Sequence, residues 1–535
     1  MNIRNLVLAV LALSPAAAQA QNPGAFLAAE FAAHNGDITY AAAQMQEALD
    51  ADPSSTELRN EAFVLDLLAR SPQAAELART VPDNPIAALL LATLSARDGQ
   101  WQKAELGFAE LPHDALTDAM KPLLMAWTQE AQGSADRAMD TLQPALTNGK
   151  LGAICLLHAA LIADAGHRDG LAQRLYTDLS HAQSQPSLQF AQIYSSWQAR
   201  AGDLAGAHAT LEAAARGAPE LDIAKPGLLA ALDHPVAPDA VVGMARAYVE
   251  VAADLRGQNG HDVADLLVQL ALEIDPTLTD ARLLASDIAS TQKQPHLAAS
   301  YLEGIQPTDP LWPVIQLRLA NLYEHDNRPE EAAALLKKLA AKFPSRPEPM
   351  IQLGDTFADQ KNFPAAVSAY DQAIALLRHP AASDWAVFYA RGSLLERLHE
   401  WPRAEADMNR ALELQPNQPY VLNFLGYSLA ERNEDLPTAQ DMIQKALDAK
   451  PNDGAIVDSL GWVKLRLGDT KEALRLLEKA AELEPDDPSI TGHLGDAYWD
   501  AGRHLEAEDQ WRRALVLKPE PDDQARIEAR LKSIK

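Results

Sequence analysis

A single cysteine, Cys155, stands in a chain of 535 residues. That excludes an intrachain disulfide and any cysteine-rich metal site, so stability has to come from packing. Cys155 lies in the apolar run Leu151-Gly-Ala-Ile-Cys-Leu-Leu157 and reads as a small core residue. Aromatic residues are also scarce, at 6%. A core made without them relies on alanine and aliphatic side chains, which suits helices that approach closely. Basic residues are outnumbered, 46 Lys and Arg against 74 Asp and Glu, for a formal charge of -28. Such acidity disfavours nucleic acid and anionic lipid as partners and favours a basic protein surface.

Catalytic signatures are missing as well. The chain has no HExxH zinc motif, no GxxxxGK[ST] or GxGxxG phosphate loop and no GxSxG nucleophile elbow. Its 14 histidines are scattered, and a lone histidine without partnered ligands is not a site. The carboxylates are too numerous for any pair to stand out as acid and base. No catalytic, cofactor-binding or metal-binding residue is therefore assigned, and the chain reads as a non-enzyme.

At the N-terminus Arg4 precedes an apolar stretch, Leu6 to Leu13, and then Ala18-Gln19-Ala20. This is the pattern of a secretory signal cleaved after Ala20. Eight apolar residues are too few to span a bilayer, which takes about 20, so no transmembrane segment is expected. No cysteine follows the cleavage point to carry a lipid. The expected compartment is a bacterial periplasm, and loss of Arg4 with no acid makes the exported chain one unit more acidic.

The dominant positive feature is a period of 34 residues. Gly461 recurs as Gly495, Ala473 as Ala507, Leu477 as Trp511, Ala480 as Ala514 and Pro485 as Pro519. Units begin near Ala245, Thr279, Pro313, Pro347, Trp385, Pro419, Gly454 and Pro488. The twentieth position of each unit is alanine: Ala264, Ala298, Ala332, Ala366, Ala404, Ala439, Ala473 and Ala507. Small residues at positions 8 and 20 let two antiparallel helices approach. Large residues at position 24 (Tyr370, Met408, Ile443, Leu477, Trp511) fill the space between hairpins. Proline at position 32 ends the second helix. Gly468 and Gly502 fall where a helix C-terminus turns. Two irregularities interrupt the register: an insertion at Ala381 to Asp384 and one extra residue between Arg432 and Pro437.

The N-terminal half is a weaker copy. Ala29, Ala41, Met45, Ala48 and Pro53 fit one unit, and Ala207, Leu211, Ala214 and Pro219 another. The expected organisation is a signal at 1–20, a divergent helical arm at 21–221, a proline-containing joint at 222–244, eight regular units at 245–521 and a capping helix at 522–535. In such an array each repeat packs on its neighbours. The fold class expected is all-α, a right-handed superhelical solenoid of antiparallel helix pairs.

These positions resemble the tetratricopeptide repeat (TPR) superfamily. Within it, Tyr420-Val-Leu-Asn-Phe-Leu-Gly-Tyr-Ser-Leu-Ala430, Ile456-Val-Asp-Ser-Leu-Gly-Trp462 and Gly492-His-Leu-Gly-Asp-Ala-Tyr-Trp499 are similar to exported bacterial adaptors of carboxyl-terminal processing proteases and cell-wall hydrolases. Those adaptors are typically lipoproteins, and this chain departs from them in having no lipidation cysteine. The resemblance implies a concave groove lined by the first helix of each unit. Its carried-over positions are Tyr389, Ser393, Tyr420, Asn423, Tyr427, Asp458, Trp462, Asp496 and Trp499, with Arg397 and Arg466 beside them as cationic forks. His493 falls in the same groove. The Lys–Asn–Arg clamp by which some TPR domains hold a C-terminal carboxylate is not matched. The function implied is a periplasmic interaction scaffold or adaptor, linking an envelope protease to its substrates. The alternative is an assembly or export component for outer-membrane proteins or polysaccharide. On this reading Trp462→Ala or Tyr427→Ala weakens partner binding more than it weakens folding.

Overall fold

A computed structural model describes residues 22–148, 152–182, 186–216, 218–257 and 261–534. The signal-like segment through Ala20 lies outside them. Every regular element among the described residues is a helix, and successive helices pair as hairpins, which is the all-α architecture of a TPR array. The chain divides into two compact units, Met1–Leu339 and Ala340–Lys535.

The C-terminal unit is the regular one. Its hairpins are Glu348–Asp359 with Phe363–Leu376, Trp385–Arg397 with Trp401–Leu414, Pro419–Glu431 with Leu436–Ala449, Gly454–Arg466 with Thr470–Leu483, and Pro488–Asp500 with His504–Val516. A last helix, Pro521–Ser533, follows. We call the first helix of each pair A and the second B. The glycine at position 8 marks the crossing of A and B. A Cβ at Gly354, Gly392, Gly426, Gly461 or Gly495 would fall 2.6 to 2.8 Å from the side chain of Tyr370, Met408, Ile443, Leu477 or Trp511, respectively. Those five side chains are buried, as are the alanines at position 20.

Turn chemistry follows the same logic. Gly468 and Gly502 take φ of +81° and +78° after helix A, a conformation that costs glycine little. The extra residue between Arg432 and Pro437 is accommodated by two left-handed residues, Asn433 (φ +56°) and Asp435 (φ +32°). Asp453, Asp469 and Asp487 cap the helices that follow them, accepting from the amides of Ile456 (3.2 Å), Glu472 (3.3 Å) and Ile490 (2.9 Å). The insertion at 381–384 forms a 3-10 turn, Ala382–Asp384.

The N-terminal unit departs from a simple stack. Hairpins run from Pro23–His34 with Ile38–Ala51 to Leu188–Arg200 with Leu204–Ala215. Short turns around Lys225–Ala230 then lead to the hairpin Ala240–Gly257 with His261–Ile274. This hairpin packs on its successor Thr279–Thr291, but also on remote A helices. Ala240–Gly257 lies against Ala115–Ala131 and Gly152–Ala165; His261–Ile274 lies against Thr56–Leu68 and Pro85–Arg97. The Trp127 indole occupies the space a Cβ at Gly243 would need. The Tyr248 and Thr93 hydroxyls share a buried hydrogen bond of 2.6 Å across 155 residues of sequence.

Neighbour-only packing therefore fails at this hairpin, and the reason is compositional. Val263, Ala264, Leu266, Leu267, Val268, Leu270, Ala271, Leu272 and Ile274 are all buried. A helix with so broad an apolar face needs cover on more than one side, and the A-helix face of the N-terminal arm supplies it, while Asp262, Asp265, Gln269 and Glu273 share the remaining stripe.

Candidate functional site

In the C-terminal unit, A helices touch the next A helix from Pro419–Glu431 onward, and the closing helix Pro521–Ser533 touches Pro488–Asp500 in turn. This places the A helices, and the side chains expected to bind a partner, on one inner row.

The row has two different halves. The later half is filled by the protein itself. His493 is buried and its Nδ1–H donates to the Asp458 carboxylate, 2.9 and 3.1 Å from its oxygens. Burial alone would lower the His493 pKa, but the Asp458 charge and hydrogen bond outweigh it, and the net shift is upward. The imidazole stacks on Trp462 with ring centroids 4.2 Å apart. The Arg526 guanidinium sits 5.7 Å from the centre of the Trp462 ring. Arg526 also pairs with Asp496 and, at 2.9 Å, with Asp523. Arg530 adds a contact of 3.3 Å to Asp496. Burial pushes the Asp496 carboxyl up, against the pull of Arg526 and Arg530. Ile527, fully buried, seats the closing helix beside Trp511.

Several expected groove residues are thereby committed to internal contacts. Asp458, Trp462 and Asp496 are buried at 5%, 6% and 2% exposure. Trp499 packs sideways on His504 and Trp511, at 4.2 and 5.6 Å between centroids, in the cluster that receives the closing helix. Arg466 is no free cationic fork: it donates to the carbonyls of Ala430 (3.3 Å) and Glu431 (2.9 Å), satisfying the open end of the preceding A helix. Arg397 pairs with Glu520 at 3.4 Å. The basic side chains of the closing helix are the part the repeat pattern did not place. The spacing of Arg526 and Arg530, one helical turn apart on the face of Ile527, was the available signal.

The earlier half of the row stays open. Tyr420 is 40% exposed, and Tyr389, Asn423 and Tyr427 are half-buried. Tyr389 leans edge-on toward Phe424, with centroids 6.3 Å apart. The Ser393 hydroxyl bonds back to the Tyr389 carbonyl at 2.9 Å. Asn423 Oδ1 is buried without a hydrogen-bond partner among the described residues, an unmet acceptor that carries a local cost. Burial raises the pKa of the Tyr427 hydroxyl well above its ordinary value, with Glu431 and Asp458 adding to it, so Tyr427 is a neutral donor at any physiological pH.

Family models described as Tetratricopeptide repeat match residues 313–356, 351–419, 389–454 and 459–524. The C-terminal part of the chain is thus an array of TPR repeats. Among solved structures the chain is similar to the Cut9–Hcn1 hetero-tetramer of the APC/C, at 18% identity over 99% of each chain with a TM-score of 0.38. It is similar to yeast Tom70 at 13% identity over 95% of this chain and 94% of that one, with a TM-score of 0.33. It is also similar to pilF of Pseudomonas aeruginosa, at 20% identity over 40% of this chain and 94% of that one, with a TM-score of 0.32. No curated protein matches the chain.

Proposed function

We propose that this protein is a non-catalytic interaction scaffold that holds an extended segment of a protein partner along Tyr389, Tyr420, Asn423 and Tyr427. The observation that carries this reading is the exposed Tyr420 ring with the half-buried Tyr389 and Asn423 on the earlier part of the row. Tyrosine is a residue type enriched in binding hot spots. Two repeats present this row, so the segment it holds is short. The acidity of the chain favours a basic segment.

The signal-like N-terminus and the resemblance to exported adaptors support a role in the cell envelope, where the scaffold would bring substrates to a carboxyl-terminal processing protease or a cell-wall hydrolase. Affinity capture from an envelope fraction with the full chain tests both levels. The expected result is enrichment of such an enzyme by the wild type and its loss with Tyr420→Ala/Asn423→Ala. Equal capture by the double variant overturns the groove. Capture of outer-membrane assembly components in place of a hydrolase overturns the protease link and favours the export role.

A further inference from the structure

The hairpin Ala240–Ile274 does not fill the whole inner face of the N-terminal unit. At the start of His261–Ile274 a cavity of about 940 Å³ remains, bounded by Pro23–His34, Thr56–Leu68 and the segment entering Pro85–Arg97. That volume is at the upper end of the range typical of small-ligand pockets. Its wall is apolar along Val64, Leu68, Ile86 and Leu266, while Glu30, Glu61 and Asp265 supply carboxylates.

Glu61 is the anomaly. It is only 6% exposed, yet its Oε2 has no hydrogen-bond partner among the described residues. The nearest candidate counter-charge on its own helix is turned elsewhere. Arg59 donates to the carbonyls of Ser55 and Ser54 and to the Thr56 hydroxyl, at 3.3, 3.4 and 3.2 Å. A carboxyl buried without a partner is costly, and such a group, opening on a cavity, is a recognition element awaiting a cation. Among the described residues no three His, Cys, Asp or Glu side chains converge as a metal ion would require. The apolar wall likewise suits a cation that carries carbon.

We propose that this cavity binds an alkylammonium group, a primary amine on an aliphatic chain, with Glu61 as its counter-charge and Val64, Leu68 and Ile86 against its methylenes. The chemistry is shared by free diamines and by the lysine side chain of a peptide. The proposal does not depend on the groove of the C-terminal unit.

Titration calorimetry of the full chain at pH 8 tests the proposal with three probes: 1,5-diaminopentane, the capped peptide acetyl-Leu-Lys-Leu-amide, and 1-pentanol as the uncharged comparator. The expected result is binding of the diamine, the peptide or both, weakened on the order of tenfold or more by Glu61→Gln. Binding of the diamine alone identifies a free amine as the ligand, and binding of the peptide alone identifies a lysine side chain. Leu68→Trp, which leaves Glu61 in place and fills the cavity against which the methylenes would lie, should abolish binding and gives the comparison should the first variant lose its helical circular dichroism. The proposal is overturned if neither cation binds more tightly than pentanol, or if the folded variants bind as the wild type does.

Discussion

Glu61 is a residue whose burial costs the fold stability once it ionises. Burial, with Glu30 and Glu57 adding to it, pushes its pKa up to about 7. His34, Arg59, Asp83, Asp262 and Asp265 also line the cavity. The native state therefore holds the proton more tightly than the unfolded chain, whose glutamates titrate near about 4.3. Stability contributed by this proton is present at low pH and is lost as pH rises from about 4.3 to about 7. Glu61→Gln removes that slope, and at pH 8 the variant should be more stable by about 2–3 kcal/mol in denaturant melts. An unchanged pH profile would show that Glu61 is ionised and solvated. Arg526 presents the opposite case. Its guanidinium faces the buried Asp496, so Arg526→Ala leaves that carboxylate only the 3.3 Å contact with Arg530 and should cost about 2–3 kcal/mol. Adding Asp496→Asn should recover part of that loss, whereas additive losses would mean that the two do not act as a pair.

Helix pairs set the next scale. The contact of Gly461 with Leu477 admits no side chain without displacement, so Gly461→Leu should cost about 1–3 kcal/mol. The sequence alone puts Trp462 in the groove, where its loss weakens binding more than folding. With Trp462 buried against His493, Trp462→Ala removes a core aromatic, and its cost should reach about 3–5 kcal/mol. Thermal melts of the two variants side by side check this: a loss for Trp462→Ala well below that for Gly461→Leu would return the indole to the groove. Tyr420→Ala, by contrast, sits on the open part of the row and should change stability by no more than about 0.5 kcal/mol. The repeat period placed each of these residues on the right helix and at the right height. What it could not resolve was cover, because the closing helix supplies the cover and follows a different pattern.

For the whole molecule, acidity and export make a joint prediction. If the chain is secreted as its first twenty residues imply, N-terminal sequencing of protein recovered from the periplasm should begin at Gln21. Full-length protein retained in the cytoplasm would remove the envelope role while leaving the scaffold intact. With 74 acids against 46 basic residues, capture of a basic partner should weaken as salt rises from low to physiological ionic strength. The described helices include none long and apolar enough to cross a membrane.

Repeat pattern and composition were enough to read the all-α class, the 34-residue register, the glycine and alanine contacts inside each hairpin, and the irregular turn at Asn433–Asp435. All of these are local: they follow from residues one or two helical turns apart, or from one repeat and the next. Folded contacts were needed to see that the hairpin of Ala240–Gly257 and His261–Ile274 packs on remote A helices of the N-terminal unit, that Arg526 and His493 close the end of the C-terminal row, and that Glu61 opens on a cavity without a bonded counter-charge among the described residues. Each joins residues distant in sequence, and a periodic pattern says what a helix buries without saying which remote surface buries it.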